Sequence, residues 1–454
     1  MKIKVKVVIT EAGFDVYLNQ HPHQVSYPKP IWQAFPQKLK LPFAEFVAFM
    51  TTVPKAFTNS TNIEYQFPRP IAESFFYFGL LLSQPENLID FSGWKTSDYL
   101  RQVMNSFYKI SFTGQTREII TDVSYTPDKQ SAIVPFTFGK DSLLTFGLCQ
   151  EMGLKPIPIF MLEPTNLYEN KLKQKLLAQF IKEFKQPIYT FPVPLAQLKQ
   201  TRGKWWGWDI FLTQYTIFLL PFLYTHKANY LFWSNESNCN EVVSDSEGFM
   251  VNATFEQSTK WMQVLSSGLR LFGVNAKLGS LLEPLTEIGI LSMLHRYYPD
   301  LGRYQTSCLN DEPISATKRW CGKCYECARV YISLLALRID PRRVGFDVDM
   351  LRRSKRHLYY IFAKTQDDLH NKFTFTRNEK LFAFFLAYKN GNRGKLMDEF
   401  KTRFLKNVKA KQKHYRHLYL GTSSTQTIPE ELKSRVHRLY SQRLDQIKKD
   451  LEPV

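Results

Sequence analysis

Six consecutive residues, Thr137-Phe138-Gly139-Lys140-Asp141-Ser142, combine the types needed to hold a phosphate. Gly139 lets the backbone approach a ligand closely. Lys140 adds a cation and Ser142 a hydroxyl, while Asp141 is suited to capping a helix or helping to hold Mg²⁺. If a helix begins here, its free N–H groups and the positive end of its dipole face the same point. The run is not a Walker A loop, because the second glycine and its spacing are missing. A second constellation is Cys321-Gly322-Lys323-Cys324-Tyr325-Glu326-Cys327, two C-x-x-C steps in a row, with Cys308 upstream. Four thiolates are the ligand count of a closed structural zinc site. An iron–sulfur cluster competes with zinc, and four buried free thiols are the plain alternative. A third is Trp233-Ser234-Asn235-Glu236-Ser237-Asn238-Cys239-Asn240-Glu241. Here Glu236, Asn238 and Glu241 could bind Mg²⁺ or substrate, and Cys239 could act as an acid or base if its pKa were lowered. An ordinary polar loop would look similar. Val251–Ser258 and Leu282–Ile288 could also contact substrate, although their residue types are not diagnostic.

These residues need elements to position them. Ala132–Phe136 is a short apolar run, predicted as a buried strand, and Leu143–Met152 has helical spacing that stops at Gly153. Pro156–Leu162, Pro187–Val193 and Tyr230–Ser234 are predicted as further strands. Glu169–Phe184 and Asp209–Tyr224 are predicted helices between them. Alternating strands and helices imply βαβ units and a parallel sheet. The loop at 137–142 and the segment at 233–241 would then both leave strands at the carboxyl edge, where open α/β sheets bind ligands. Before this unit, alternation over Lys2–Ile9 predicts a strand, and helices are predicted over 72–82 and 96–108, giving an α+β accessory domain over 1–125. After it, residues 341–454 are predicted as a basic helical region. Gly421–Thr425 looks like a linker break. Leu432, Val436, Leu439, Tyr440 and Ile447 share one face of a final helix, which reads as a docking helix in preference to a nucleic-acid arm.

Composition sets the outer limits. The chain has 454 residues, 44% hydrophobic and 22% charged, which excludes a disordered or low-complexity protein. Six cysteines exclude a disulfide scaffold. The formal charge is +19, and most of the excess lies from Leu351 onward, with 24 Lys and Arg against 10 Asp and Glu. Such a balance suits nucleic acid, a membrane surface or an anionic ligand, or is a solvated basic face. No apolar run has the length of a membrane span or the shape of a secretory signal, so a cytoplasmic protein with reduced cysteines is expected.

The loop resembles the phosphate-binding loop of the PP-loop ATP pyrophosphatases, whose pattern is Ser-Gly-Gly-x-Asp-Ser. Thr137, Gly139, Asp141 and Ser142 match, and Phe138 replaces the first glycine, where a side chain could crowd the phosphates. The order of this loop, Ser234-Asn235-Glu236, Val251-Asn252, Leu282–Glu287, Cys308 and Arg319-Trp320-Cys321-Gly322-Lys323-Cys324 is similar to that of the UDP-N-acetylmuramoyl-L-alanyl-L-glutamate epimerase family. The four-cysteine run is also similar to that of 7-cyano-7-deazaguanine synthase. The long leading region, Lys140 and Arg319-Trp320 favour the epimerase family. The resemblance covers about residues 130–345 and implies a PP-loop, adenine nucleotide alpha hydrolase-like domain over 126–340. It implies ATP and Mg²⁺, with Thr137, Gly139, Lys140, Asp141 and Ser142 on the nucleotide, and structural zinc on Cys308, Cys321, Cys324 and Cys327. The implied reaction adenylates a carboxylate of a UDP-linked muramoyl dipeptide, releases pyrophosphate and epimerises its terminal L-Glu to D-Glu. Lys140, Asp141, Glu236 and Cys239 are the candidate catalytic residues. A deazaguanine synthase-like or tRNA-modifying enzyme, and a non-catalytic nucleotide-binding protein, are the alternatives.

Overall fold

The computed structural model describes residues 2–59, 61–83, 95–115, 123–199, 210–308, 311–362 and 374–451. The alternation at the N-terminus yields β1 (Lys2–Thr10), followed by the antiparallel β2 (Gly13–Leu18) and β3 (His21–Ser26). Then β4 (Asn62–Tyr65) and β5 (Ile110–Phe112) add in parallel on the other edge of β1, giving the order β3-β2-β1-β4-β5. Helix Gln37–Thr52 buries Phe43, Phe46, Val47, Phe49 and Met50 in this unit.

A second sheet carries the segments with chemistry. Its strands are β6 (Asp128–Pro135), β7 (Lys155–Leu162), β8 (Tyr189–Pro192) and β9 (Ala228–Phe232). A two-stranded hairpin of β10 (Val243–Ser244) and β11 (Met250–Val251) follows, and β12 (Lys277–Gly279) completes the sheet. All five strands of this sheet are parallel, in the order β12-β9-β6-β7-β8. Helices Lys140–Glu151, Leu167–Phe184 and Thr259–Arg270 alternate with them. The helix expected over 209–224 is instead two, Phe211–Phe218 and Leu220–His226. Pro221 lacks an amide hydrogen and stands in the first turn of the second, where none is needed. The chain moves outward from β6 to β8, then returns to the other side of β6 through β9. The strand order therefore reverses between β6 and β9, and the crevice of a doubly wound α/β sheet opens outside their carboxyl ends.

Successive residues on a strand face opposite sides, so β6 feeds two cores. Ile133, with Ile159, Phe191, Leu231 and Leu278, packs against the N-terminal unit. Tyr27 stacks on Phe191 at 4.4 Å between ring centroids, and Gln214 donates to the Met50 carbonyl at 2.8 Å. Ala132 and Val134, with Phe160, Tyr230 and Phe232, face the C-terminal helices. Helix Glu430–Asp450 buries Leu432, Val436, Tyr440, Leu444 and Ile447, and the Tyr440 hydroxyl donates to the Leu281 carbonyl at 2.7 Å. Segment 421–425, expected as a linker break, runs along the core: Ser423 N–H donates to the Pro284 carbonyl at 2.9 Å, and Ser424 binds Glu283. Among the described residues no helix is long and apolar enough to cross a membrane.

Candidate functional site

The loop after β6 leads into helix Lys140–Glu151, with Gly139 at its N-cap. Ser142 Oγ accepts from the Thr137 amide at 3.2 Å and donates to the Gly139 carbonyl at 3.2 Å, closing the turn on itself. Phe138 has a φ of +62°, the left-handed region that L-residues rarely adopt. That conformation turns its ring away from the mouth of the loop. The ring is fully buried against Phe136, Phe180 and Tyr304. The crowding expected at this position therefore does not arise from the side chain. Packing holds a backbone conformation that glycine would adopt unaided.

Lys140 does not point into open space. Its ammonium is buried between Asp141 Oδ1 at 2.6 Å and Glu236 Oε2 at 3.2 Å, the latter delivered by the segment after β9. Loop and segment thus meet across the switch point. Burial alone would lower the Lys140 pKa, but Asp141, Glu236 and Glu287 reverse that and hold it charged. Burial pushes Glu236 upward, with Lys140 pulling it back. Cys239 is pushed up to about 12 by burial, and its thiol donates to Gln257 Oε1 at 3.2 Å. Asn252 Nδ2 donates to the Cys239 carbonyl at 2.9 Å, which fixes the turn.

The cysteines come together as expected. The sulfurs of Cys308, Cys321, Cys324 and Cys327 all lie within 4.8 Å of one another. Three of the separations are 3.9, 3.8 and 3.4 Å. A tetrahedron with Zn–S bonds of about 2.3 Å has edges of about 3.8 Å, so a single zinc fits this donor set. An iron–sulfur cluster distributes its cysteines over separate iron atoms and holds them further apart. Cys324 Sγ also caps helix Tyr325–Ala336 by accepting from the Cys327 amide. The cluster therefore fixes the start of a helix whose first turns present Tyr325, Glu326 and Arg329 to the crevice. Arg329 pairs with Glu287 at 2.9 Å and Glu326 at 2.5 Å.

A further wall comes from helix Thr374–Lys389, which the sequence reading did not connect to the site. Glu379 Oε2 accepts from Asn238 Nδ2 at 2.8 Å and Glu379 Oε1 from the Ile288 amide at 2.9 Å. Its neighbour Lys380 reaches the Tyr325 hydroxyl. Arg329, Glu379 and Lys380 sit in helices without a motif, so residue type and spacing gave no signal for them. Tyr325 lies inside the cysteine run, where it reads only as a spacer between the thiolates.

Two cavities flank the switch point and share Asp141, Ser234 and Gln257. The larger, about 720 Å³, is bounded by Thr137, Ser142, Phe160, Met161, Glu163 and Trp233. Burial raises the Glu163 carboxyl to about 7, against the amides of Ala196, Thr165 and Leu195. The smaller, about 400 Å³, holds Lys140, Glu236, Cys239, Tyr325, Arg329 and Lys380. Among its lining residues, Asn238 Oδ1 and Arg329 Nε are buried polar atoms with no partner, and Asn235 Nδ2 on the larger cavity has none either. Unpartnered buried polar groups are costly unless a ligand satisfies them. Glu283, considered as a substrate contact, is instead fully engaged inside the protein. It accepts from Thr259 Oγ1, Ser424 Oγ, the Gln426 amide, the Thr427 amide and Thr427 Oγ1 at 2.7–3.1 Å.

No protein-family model, no curated protein and no solved structure matches the chain. The functional reading therefore rests on its own residues.

Proposed function

We propose that the protein is an ATP-dependent enzyme that adenylates a carboxylate, releases pyrophosphate and epimerises the terminal L-Glu of a UDP-linked muramoyl dipeptide. The observation that carries this reading is the pair of cavities at the β6/β9 switch point that share Asp141, Ser234 and Gln257, with residues of the 137–142 loop lining both. The larger cavity suits the nucleotide, whose phosphates would lie over the amides of 139–142 at the helix N-terminus. Asp141 borders both cavities and is the residue to hold Mg²⁺ on the phosphates. The smaller cavity, lined by charged groups and by the unpartnered Asn238 Oδ1 and Arg329 Nε, suits the acceptor. Lys140 would leave its carboxylate partners to meet negative charge as pyrophosphate departs. Cys308, Cys321, Cys324 and Cys327 would hold zinc in a structural role, at the base of the acceptor wall.

The test is product analysis with Mg-ATP and UDP-N-acetylmuramoyl-L-alanyl-L-glutamate. AMP, pyrophosphate and D-Glu in the hydrolysed product are the expected result. AMP without D-Glu would keep the adenylation and replace the acceptor by a deazaguanine precursor or tRNA. Absence of AMP with every acceptor would overturn the enzymatic reading.

A further inference from the structure

Epimerisation next to an activated carboxyl needs a base that carries a free electron pair near neutral pH and faces the acceptor. The residues around the smaller cavity can be compared on that requirement. Asp141 and Glu236 share the Lys140 ammonium, and Glu326 is paired with Arg329. The Cys239 thiol is a poor candidate, since burial keeps it protonated and Gln257 already takes its hydrogen. Lys380 differs from all of these. Among the described residues it makes no ion pair with a carboxylate. Its nitrogen contacts the Tyr325 hydroxyl and lies 4.3 Å from the Tyr325 ring centroid and 6.0 Å from that of Tyr360. Burial, together with the nearby Arg329 guanidinium, lowers it to about 8, against the opposing pull of Glu287, Glu326 and Glu379. An ammonium has no lone pair, so a depressed lysine is what makes a base available.

We propose that Lys380 is the catalytic base of the acceptor cavity, taking the proton from the carbon beside the activated carboxyl, with Tyr325 as the positioning residue that aims its amine. This rests on the adenylation reading above. In the step, the C–H bond breaks and an N–H bond forms on Lys380. The electron pair moves onto the acyl carbonyl oxygen as an enolate. A solvent-derived proton delivered to the opposite face of the carbon, with return of the electron pair, completes the inversion. Lys380 then releases its proton to water.

The experiment follows two signals in D₂O with Mg-ATP and UDP-N-acetylmuramoyl-L-alanyl-L-glutamate. One is exchange of labelled pyrophosphate into ATP, which reports adenylation. The other is deuterium uptake at the glutamyl α-carbon, which reports proton removal. Lys380→Gln is expected to keep pyrophosphate exchange and to lose deuterium uptake by about a hundredfold or more, the usual scale of general-base catalysis. Lys380→Ala should behave alike and recover deuterium uptake on addition of methylamine, which a structural role would not allow. Wild-type uptake should rise with pH through about 8 as the amine form grows. Undiminished deuterium uptake by Lys380→Gln would overturn the assignment. So would joint loss of both signals in Lys380→Ala without recovery on methylamine. Absence of pyrophosphate exchange in the wild type would overturn the adenylation reading instead.

Discussion

At the scale of single residues, two side chains show how the fold holds groups in states that their free forms would not adopt. Phe138 sits at a left-handed φ because its ring is fully buried on the far side of the loop. Phe138→Gly would relieve backbone strain of about 1–3 kcal/mol. It would also remove a core aromatic ring, and truncations of that kind cost about 3–5 kcal/mol. A net loss in urea-denaturation stability is therefore expected, with nucleotide binding unchanged because the ring does not face the ligand side. Glu163, at the rim of the larger cavity, is raised by burial to about 7. A carboxyl that binds its proton more tightly when folded stabilises the protein fully below its unfolded pKa. That stability is lost as pH rises through about 7. The span is at most about 3 kcal/mol. Glu163→Gln should flatten the stability profile between pH 4.5 and 7, as read by denaturation midpoints across that range.

At the scale of elements, the cysteine cluster and the helix that follows it behave as one device. Four sulfurs at zinc-compatible separations hold the N-terminus of Tyr325–Ala336, and that helix brings Tyr325 and Arg329 to the smaller cavity, the one proposed for the acceptor. Purified protein is expected to contain about one zinc per chain, because one tetrahedral ion satisfies all four thiolates. Chelation should raise hydrogen exchange in 325–336 and weaken acceptor binding more than nucleotide binding. A zinc-free protein with unchanged exchange there would remove the coupling. The cysteine grouping was legible from sequence because two C-x-x-C steps leave few other arrangements. The parallel sheet was legible too, since β6, β7 and β9 are apolar runs separated by helical spacing. Three features escaped for physical reasons. Residues 277–279 form a strand too short to leave a pattern. The split between Phe211–Phe218 and Leu220–His226 falls inside one continuous apolar stretch. Glu379 and Lys380 meet the site only through long-range packing, which no local spacing encodes.

At the scale of the whole molecule, the parallel sheet is covered on one face by residues from the first part of the chain and on the other by residues from the last. This bears on the basic C-terminal region. Its last helix is expected from its apolar face to dock rather than to serve as a nucleic-acid arm, and helix Glu430–Asp450 inserts Leu432, Val436, Tyr440, Leu444 and Ile447 into the core. Burial of a large apolar side chain contributes about 1.5–3 kcal/mol. Five of them approach the entire stability of an ordinary domain, about 5–15 kcal/mol. The segment just before this helix also supplies four of the hydrogen bonds that neutralise the buried Glu283 carboxylate. Deleting residues 421–454 should therefore abolish cooperative unfolding and yield aggregated protein, because it strips one face of the sheet and leaves a charge unpaired. A mere nucleic-acid arm would behave differently, since its removal would leave the melting transition intact. Removing it would also eliminate a steeply salt-dependent affinity for RNA. Thermal unfolding of the truncated chain beside the full chain separates these outcomes, and a preserved transition would refute the core role of the last helix.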